Sequence, residues 1–335
     1  ETSPVQHVPT NSVFNFQTSQ ITIKLFNSQG FLADGGDVKI GFGGWPGIGT
    51  TGDDGTGILY HEHFLTSRKF RMYFNGTGNE INQDLSLDQT VVFTTSRIEI
   101  HLLDHAGNFM DGGKVRFDLG GWPVIGYTGD DGTGKLYHEI FPAVREYRLS
   151  INYATQEISQ DLTVNPIVVF QTGLVDLHFT GNINLQVGGW PAFNGPMEML
   201  PVPMNFRFSG LSQPSVYQTI TPVAGTVFEK SVAYMRLLNS SGNGVAGVEG
   251  KYRLGSTYYS AGNTNADGVV LAMIDGYVTS TYFRMALLGH EQTKLQNIAN
   301  NSFVIFQSMA ITVELRDSNG NLINADELLY RDGSG

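Results

Sequence analysis

The chain of 335 residues is longer than one small β-domain needs and suits two to four modules. Glycine is abundant (41 residues), charged residues make up 15% and aromatics 11%, a balance that favours strands joined by tight turns. The net charge of −11 argues against nucleic acid and anionic membrane surfaces as partners, and the lack of cysteine excludes disulfide scaffolds, thiol catalysis and thiolate metal sites.

The first ten residues, ETSPVQHVPT, read as a processed start rather than a signal peptide, and no apolar run approaches the roughly 18 residues of a membrane span. Residues 1–19 hold a single strand-like segment carrying Val13, Phe14 and Phe16. An alternating strand then begins at Ile21, Ile23 and Leu25 and ends in the turn NSQG. The chain continues through FGGWP at Trp45, the loop TGDDGTG with Asp53 and Asp54, and an aromatic strand KFRMYF, closing on VVFTT around Phe93.

The series then restarts. Ile98 lies 77 positions after Ile21, Trp122 lies 77 after Trp45, and the second TGDDGTG, with Asp130 and Asp131, keeps the same step. Phe16 lies 77 positions before Phe93, so the register reaches back to the first segment. We read repeat one as 20–96, repeat two as 97–173, repeat three as 174–231 and repeat four as 232–309. Residues 1–19 are then the closing strand of an incomplete repeat, and 310–335 the opening strands of another. In repeat three Val175 to Trp190 spans 15 positions against 24 in repeat one, and Trp190 to Phe206 spans 16 against 25. Two loops have therefore each lost nine residues, and the strands are expected to remain. The fold class expected is all-β, a tandem array of small Ig-like or transthyretin-like antiparallel β-sandwich domains.

The opening strand ends in D-x-x-G-like turns (NSQG, DHAG, DSNG), a T-x-x-D-G turn follows (Thr51 to Gly55, Thr128 to Gly132, Thr264 to Gly268), and an aromatic strand comes next. This pattern resembles the tandem transthyretin-like, carboxypeptidase-regulatory-like sandwiches of Cna B type in bacterial or archaeal surface proteins. The resemblance implies an extracellular role in stalks, adhesins or surface filaments. Some members of that family carry Lys–Asn cross-links, but Lys24 becomes His101, Arg236 and Glu314 in the other copies, so no cross-link shared by the repeats is expected.

Several residues invite a chemical reading. The paired Asp53–Asp54 and Asp130–Asp131 offer hard oxygen ligands for calcium, against the plainer reading of β-turns. Trp45, Trp122 and Trp190 suit either a sugar-stacking platform or an inter-domain contact. His61–Glu62 and His138–Glu139 sit side by side on strands, so their side chains face opposite ways and do not converge on one ion. Arg71 is expected outward between inward Phe70 and Met72, paired with a carboxylate such as Asp84, and Arg148 likewise with Asp161. Asn75, Asn239 and Asn300 match the glycosylation pattern at the rate an Asn- and Ser-rich chain produces by chance.

No nucleophile elbow, P-loop, zincin motif or Rossmann fingerprint occurs, so no enzymatic activity and no cofactor beyond calcium is expected. The expected function is that of a filament, fibre or stalk subunit whose partners are copies of itself or adjacent repeats. The strands at Val13, Phe14 and Phe16 and at Ile311, Val313 and Leu315 would serve assembly by strand complementation. The alternative is a carbohydrate-binding adhesin using the three tryptophans.

Overall fold

The computed structural model describes residues 16–324, and every regular element among them is a β-strand. Two compact units divide it, the first up to Gln171 and the second from Thr172 onward, with Asn152–Ala154 belonging to the second.

The first unit opens with β1 (Ser19–Phe26), β2 (Asp37–Ile40), β3 (Gly47–Thr50), β4 (Ile58–His63), β5 (Ser67–Phe74), β6 (Thr77–Asp84) and β7 (Thr90–Thr94). They form two sheets, β4-β1-β7 and β3-β2-β5-β6. Side chains alternate between the faces of a strand, so Ile21, Ile23 and Leu25 of β1 and Val91 and Phe93 of β7 all point the same way. They meet Val38, Ile40, Phe70 and Met72 from the other sheet in a single core, which makes a β-sandwich.

The same plan recurs in β8 (Ser96–Leu103), β9 (Lys114–Phe117), β10 (Val124–Tyr127), β11 (Lys135–Ile140), β12 (Val144–Ile151), β13 (Ala154–Asp161) and β14 (Ile167–Gln171), giving sheets β11-β8-β14 and β10-β9-β12-β13.

One pairing in each sandwich departs from the antiparallel rule. The closing strand runs parallel to the opening one, Thr22 beside Thr90 through Phe26 beside Thr94, and Glu99 beside Ile167 through Leu103 beside Gln171. Parallel closure means that the chain enters a sandwich at one end and leaves at the other. A single residue, Thr95, then separates β7 from β8.

The second unit contains β15 (Gly173–His178), β16 (Asn182–Leu185), β17 (Met197–Met199), β18 (Met204–Gly210), β19 (Gln213–Ile220), β20 (Val227–Leu238), β21 (Glu249–Leu254), β22 (Thr257–Asn263), β23 (Val269–Asp275), β24 (Ser280–Leu287), β25 (His290–Asn297) and β26 (Phe303–Gln307). Its trimmed loops have taken a strand with them. The sheet β16-β18-β19 has three strands where its counterparts have four, and the place of the short edge strands β3 and β10 is held by one bridge, Asn184 to Ala192. An edge strand of four residues contributes one row of ladder bonds and little core, so it is the strand whose loss costs least.

The largest difference from the expected repeat plan lies at residues 231 and 232, where a repeat boundary was expected. β20 runs through it without a break. Its first part pairs in parallel with β15, and its second part pairs with β23 and β26, so one five-stranded sheet serves two cores.

Candidate functional site

The most elaborate polar arrangement lies where the second sandwich meets the first. Thr95 donates its backbone N–H to the Phe26 carbonyl (2.9 Å) and its hydroxyl to Glu139 Oε2 (2.7 Å). The Ser28 hydroxyl and its N–H, the latter at 3.3 Å, donate to the same carboxylate. The Asn75 amide donates to the Glu139 carbonyl at 2.8 Å. Asn75 sits with Gly76 in the two-residue turn between β5 and β6, both at positive φ (45° and 74°), as a tight hairpin of this length prefers. A Cβ on Gly76 would fall 2.3 Å from Leu119 Cδ1, the tip of a side chain that can turn aside, so it is the positive φ rather than the space that calls for glycine here.

Two residues beyond Glu139, on the same strand phase, Phe141 plugs the end of the first core. Its ring is 2% exposed and 6.1 Å from the ring of Phe93. Its N–H donates to Thr77 Oγ1 (2.9 Å), whose own hydroxyl donates to the Phe74 carbonyl (2.9 Å). One strand therefore supplies a carboxylate hub and an aromatic plug to its neighbour.

The arrangement recurs. In the second unit the Thr172 hydroxyl donates to Glu198, the Asn152 amide donates to the Glu198 carbonyl (2.8 Å), and Leu200 is fully buried. Glu198 and Leu200 fall 59 positions after Glu139 and Phe141, the 77-residue step less the two nine-residue trims. In the first sandwich the Thr18 hydroxyl donates to Glu62 Oε2 (2.8 Å), while Phe64, the counterpart of Phe141, is 47% exposed.

The complementary half is open in the last sandwich. A hollow of about 510 Å³ there is lined by Leu237, Met285, Leu287 and Phe306. Leu237 is the parallel partner of Phe306, as Leu25 is of Phe93 in the core that Phe141 closes.

The other residues singled out by sequence lie elsewhere. Trp45, Trp122 and Trp190 are half-buried in the connections after β2, β9 and β16, each with an arginine over its ring: Arg71 at 4.0 Å, Arg148 at 4.0 Å and Arg207 at 4.7 Å. Arg284 lies 4.2 Å over Tyr258 in the last sandwich, so the stack survives the change of ring. The hydrogen bonds given above for Thr95, Glu139 and Phe141, and for Thr172 and Glu198, use none of the three tryptophans.

Phe70 and Met72 do face the core, but the arginine partners differ from those expected. Arg71 pairs with Glu80 and Arg148 with Glu157, because Glu80 is directly opposite Arg71 in the β5–β6 ladder, whereas Asp84 stands opposite Ser67. Asp84 and Asp161 instead accept from Ser86 and Thr163, and those hydrogen bonds hold their carboxyls below the usual range.

In the Asp-Gly loops, Asp54 accepts from the Thr56 N–H and hydroxyl, and Asp131 from those of Thr133, which lowers both carboxyl pKa values. Asp130 accepts from the Tyr127 N–H at 3.2 Å. Among the described residues neither loop gathers three His, Asp or Glu ligand atoms. His138 and Glu139 do face opposite ways. Burial against Phe117, with ring centroids 5.3 Å apart, pushes His138 down to about 4. Of the residues expected to form assembly strands, Phe16, Ile311, Val313 and Leu315 are exposed and belong to no strand, since the first strand begins at Ser19 and the last ends at Gln307, and Val13 and Phe14 lie outside the described residues.

No family model and no curated protein matches the chain. Among solved structures it is similar to the Bacillus anthracis TIE protein at 11% identity and a TM-score of 0.22, over 88% of this chain and 50% of that one, so it spans about half of that length. It is similar to BcpA, the major pilin subunit of Bacillus cereus, at 10% identity and 0.25, over 88% and 99%. The pilus adhesin SpaC from Lactobacillus rhamnosus GG gives 10% and 0.20, over 88% and 44%. Likenesses at TM-scores this low carry no weight for function.

Proposed function

We propose that this chain belongs to an extracellular structural fibre or stalk, in which β-sandwich repeats are joined end to end and the joint itself is the functional surface. The observation that carries this reading is the recurrence of one connector: Thr95, Glu139 and Phe141 at the joint within the first unit, and the same pattern of Thr172, Glu198 and Leu200 inside the second. Phe64 with Glu62 presents the plug half once more, and the hollow at Leu237, Met285 and Phe306 presents the socket half.

In its sharper form the ends meet by strand complementation. Ser308 donates to the Leu238 carbonyl at 2.9 Å as Thr95 does to Phe26, so the chain leaves β26 on the path it takes from β7 into β8. Ile311, Val313 and Leu315 follow outside any strand with apolar side chains exposed, and in this reading they become an opening strand when a partner pairs with them. An unpaired extended segment with exposed apolar residues favours pairing with another strand.

The test is immunogold electron microscopy of thin-sectioned source cells, using antibody raised against this chain. Label along surface filaments or stalks is the expected result. Label confined to the cytosol would overturn the reading. Quenching of tryptophan emission by a polysaccharide, with surface label but no filaments, would favour the adhesin alternative.

A further inference from the structure

The outer face of β15 and β20 carries a group that the joint does not use. Asp176 and His178 are two residues apart on β15 and so share a face, and Glu229 is the direct parallel partner of Asp176 on β20. His178 Nε2 lies 3.5 Å from Asp176 Oδ2 and 3.3 Å from Glu229 Oε1. The three ligand atoms are all within 4.8 Å of one another and the three residues are half-buried. The ring of Tyr277 packs edge-on against the imidazole, 4.8 Å between centroids. Among the described residues no lysine or arginine pairs with either carboxylate, and the nearby Lys230 is engaged by Asp275.

The preceding sandwich supplies an internal comparison. Glu99 and His101 hold the same two places on β8, 77 positions earlier. There His101 Nε2 closes to 2.9 Å from Glu99 Oε2, Lys135 Nζ sits 3.0 Å from the same oxygen, and Ile167 stands where Glu229 does. That group is a neutralised hydrogen-bonded cluster.

In the third repeat a second carboxylate has replaced the isoleucine, and the contacts have opened beyond the roughly 2.7–2.9 Å of a charge-assisted hydrogen bond. They match instead the edge of a tetrahedron with metal–ligand bonds of about 2.0–2.1 Å, which is about 3.3–3.4 Å.

We propose that Asp176, His178 and Glu229 bind one divalent cation of the zinc class, one imidazole nitrogen and two carboxylate oxygens leaving a fourth position for water. Borderline cations take mixed nitrogen and oxygen ligands, whereas calcium and magnesium favour all-oxygen sets. Because the ligands come from two strands, the ion would clamp β15 to β20 independently of the ladder between them.

Titration calorimetry of the full chain with zinc chloride tests this, beside titrations with calcium and magnesium. Saturable binding of one zinc per chain is expected, with affinity at least tenfold weaker in His178→Ala and in the double variant Asp176→Asn, Glu229→Gln, and unchanged in His61→Ala, His63→Ala. Zinc should raise the melting temperature of the wild type and not of His178→Ala, and melting in a chelator confirms that each variant folds. Equal zinc affinity in the wild type and all variants, no saturable zinc binding, or preference for calcium would each overturn the proposal.

Discussion

Phe141 and Phe64 occupy one place in successive copies, 77 positions apart, yet one is 2% and the other 47% exposed. Truncation to alanine separates what the joint does from what the residue type does. Phe141→Ala removes a ring packed on Phe93 at the end of the first core, a change that costs about 3–5 kcal/mol where the site cannot collapse. Phe64→Ala removes a half-solvated ring and should cost about 0.5 kcal/mol. With Trp122 and Trp190 replaced by phenylalanine, Trp45 remains as the only indole and reports on the first sandwich. At a slope of about 2 kcal/mol per molar urea, Phe141→Ala should lower the Trp45 midpoint by about 2 M, and Phe64→Ala by about 0.3 M. The mutated residue in the first case belongs to the neighbouring sandwich, so the large shift would measure coupling across the joint. Equal shifts for the two variants, or a larger one for Phe64→Ala, would refute the plug assignment.

Thr77→Val keeps the shape but strips the hydroxyl that pairs the Phe141 N–H and the Phe74 carbonyl, and should cost about 1–3 kcal/mol, seen as faster exchange of the Phe141 amide. His138 is held neutral by burial, with its pKa at about 4 against an ordinary 6.5. Its contribution is therefore complete above 6.5 and declines as pH falls from 6.5 to 4, by at most about 3 kcal/mol, and His138→Phe should flatten unfolding midpoints across that window. The turn carboxylates Asp54, Asp84, Asp131 and Asp161 are depressed below 3.8, so their losses begin at lower pH and stay separable. Arg148→Lys gives up the fork to Glu157 and the stack on Trp122, and should shift Trp122 emission while leaving the urea midpoint nearly unchanged.

The sandwich was legible because its core is written in local alternation: Ile21, Ile23 and Leu25, then Phe70 and Met72, each lie on one strand. The joint is not local. Ser28, Thr95 and Glu139 converge from three separate segments, and each alone is an ordinary polar residue in a loop or strand. A signal was present in the phase of the repeat, since Thr18, Thr95 and Thr172 keep the 77-residue step, as do Glu62 with Glu139 and Phe64 with Phe141. Tryptophans and paired aspartates draw the eye away from it, because those residue types suggest chemistry and a threonine or glutamate does not. The arginine partners differ from expectation for a related reason: strand register decides which carboxylate stands opposite, and Glu80 rather than Asp84 holds that place.

The two ways of linking sandwiches differ in what must break for them to bend. Between β7 and β8 the ladder stops at Thr95, and the neighbours hold each other through the Glu139 carboxylate, the Asn75 amide and the Phe141 plug. The polar contacts are individually modest and the plug is the larger contribution, and rotation about a one-residue link disturbs all of them without opening a sheet. Within the second unit β20 carries one continuous ladder from β15 to β23 and β26, so bending there would tear backbone hydrogen bonds out of a sheet buried at Val232, Ala233 and Met235. A chain holding both kinds of joint would yield at the first kind and hold at the second. The Asp176, His178 and Glu229 group stands on the β15 side of that fused strand, where a bound ion would add a cross-link that side-chain joints lack.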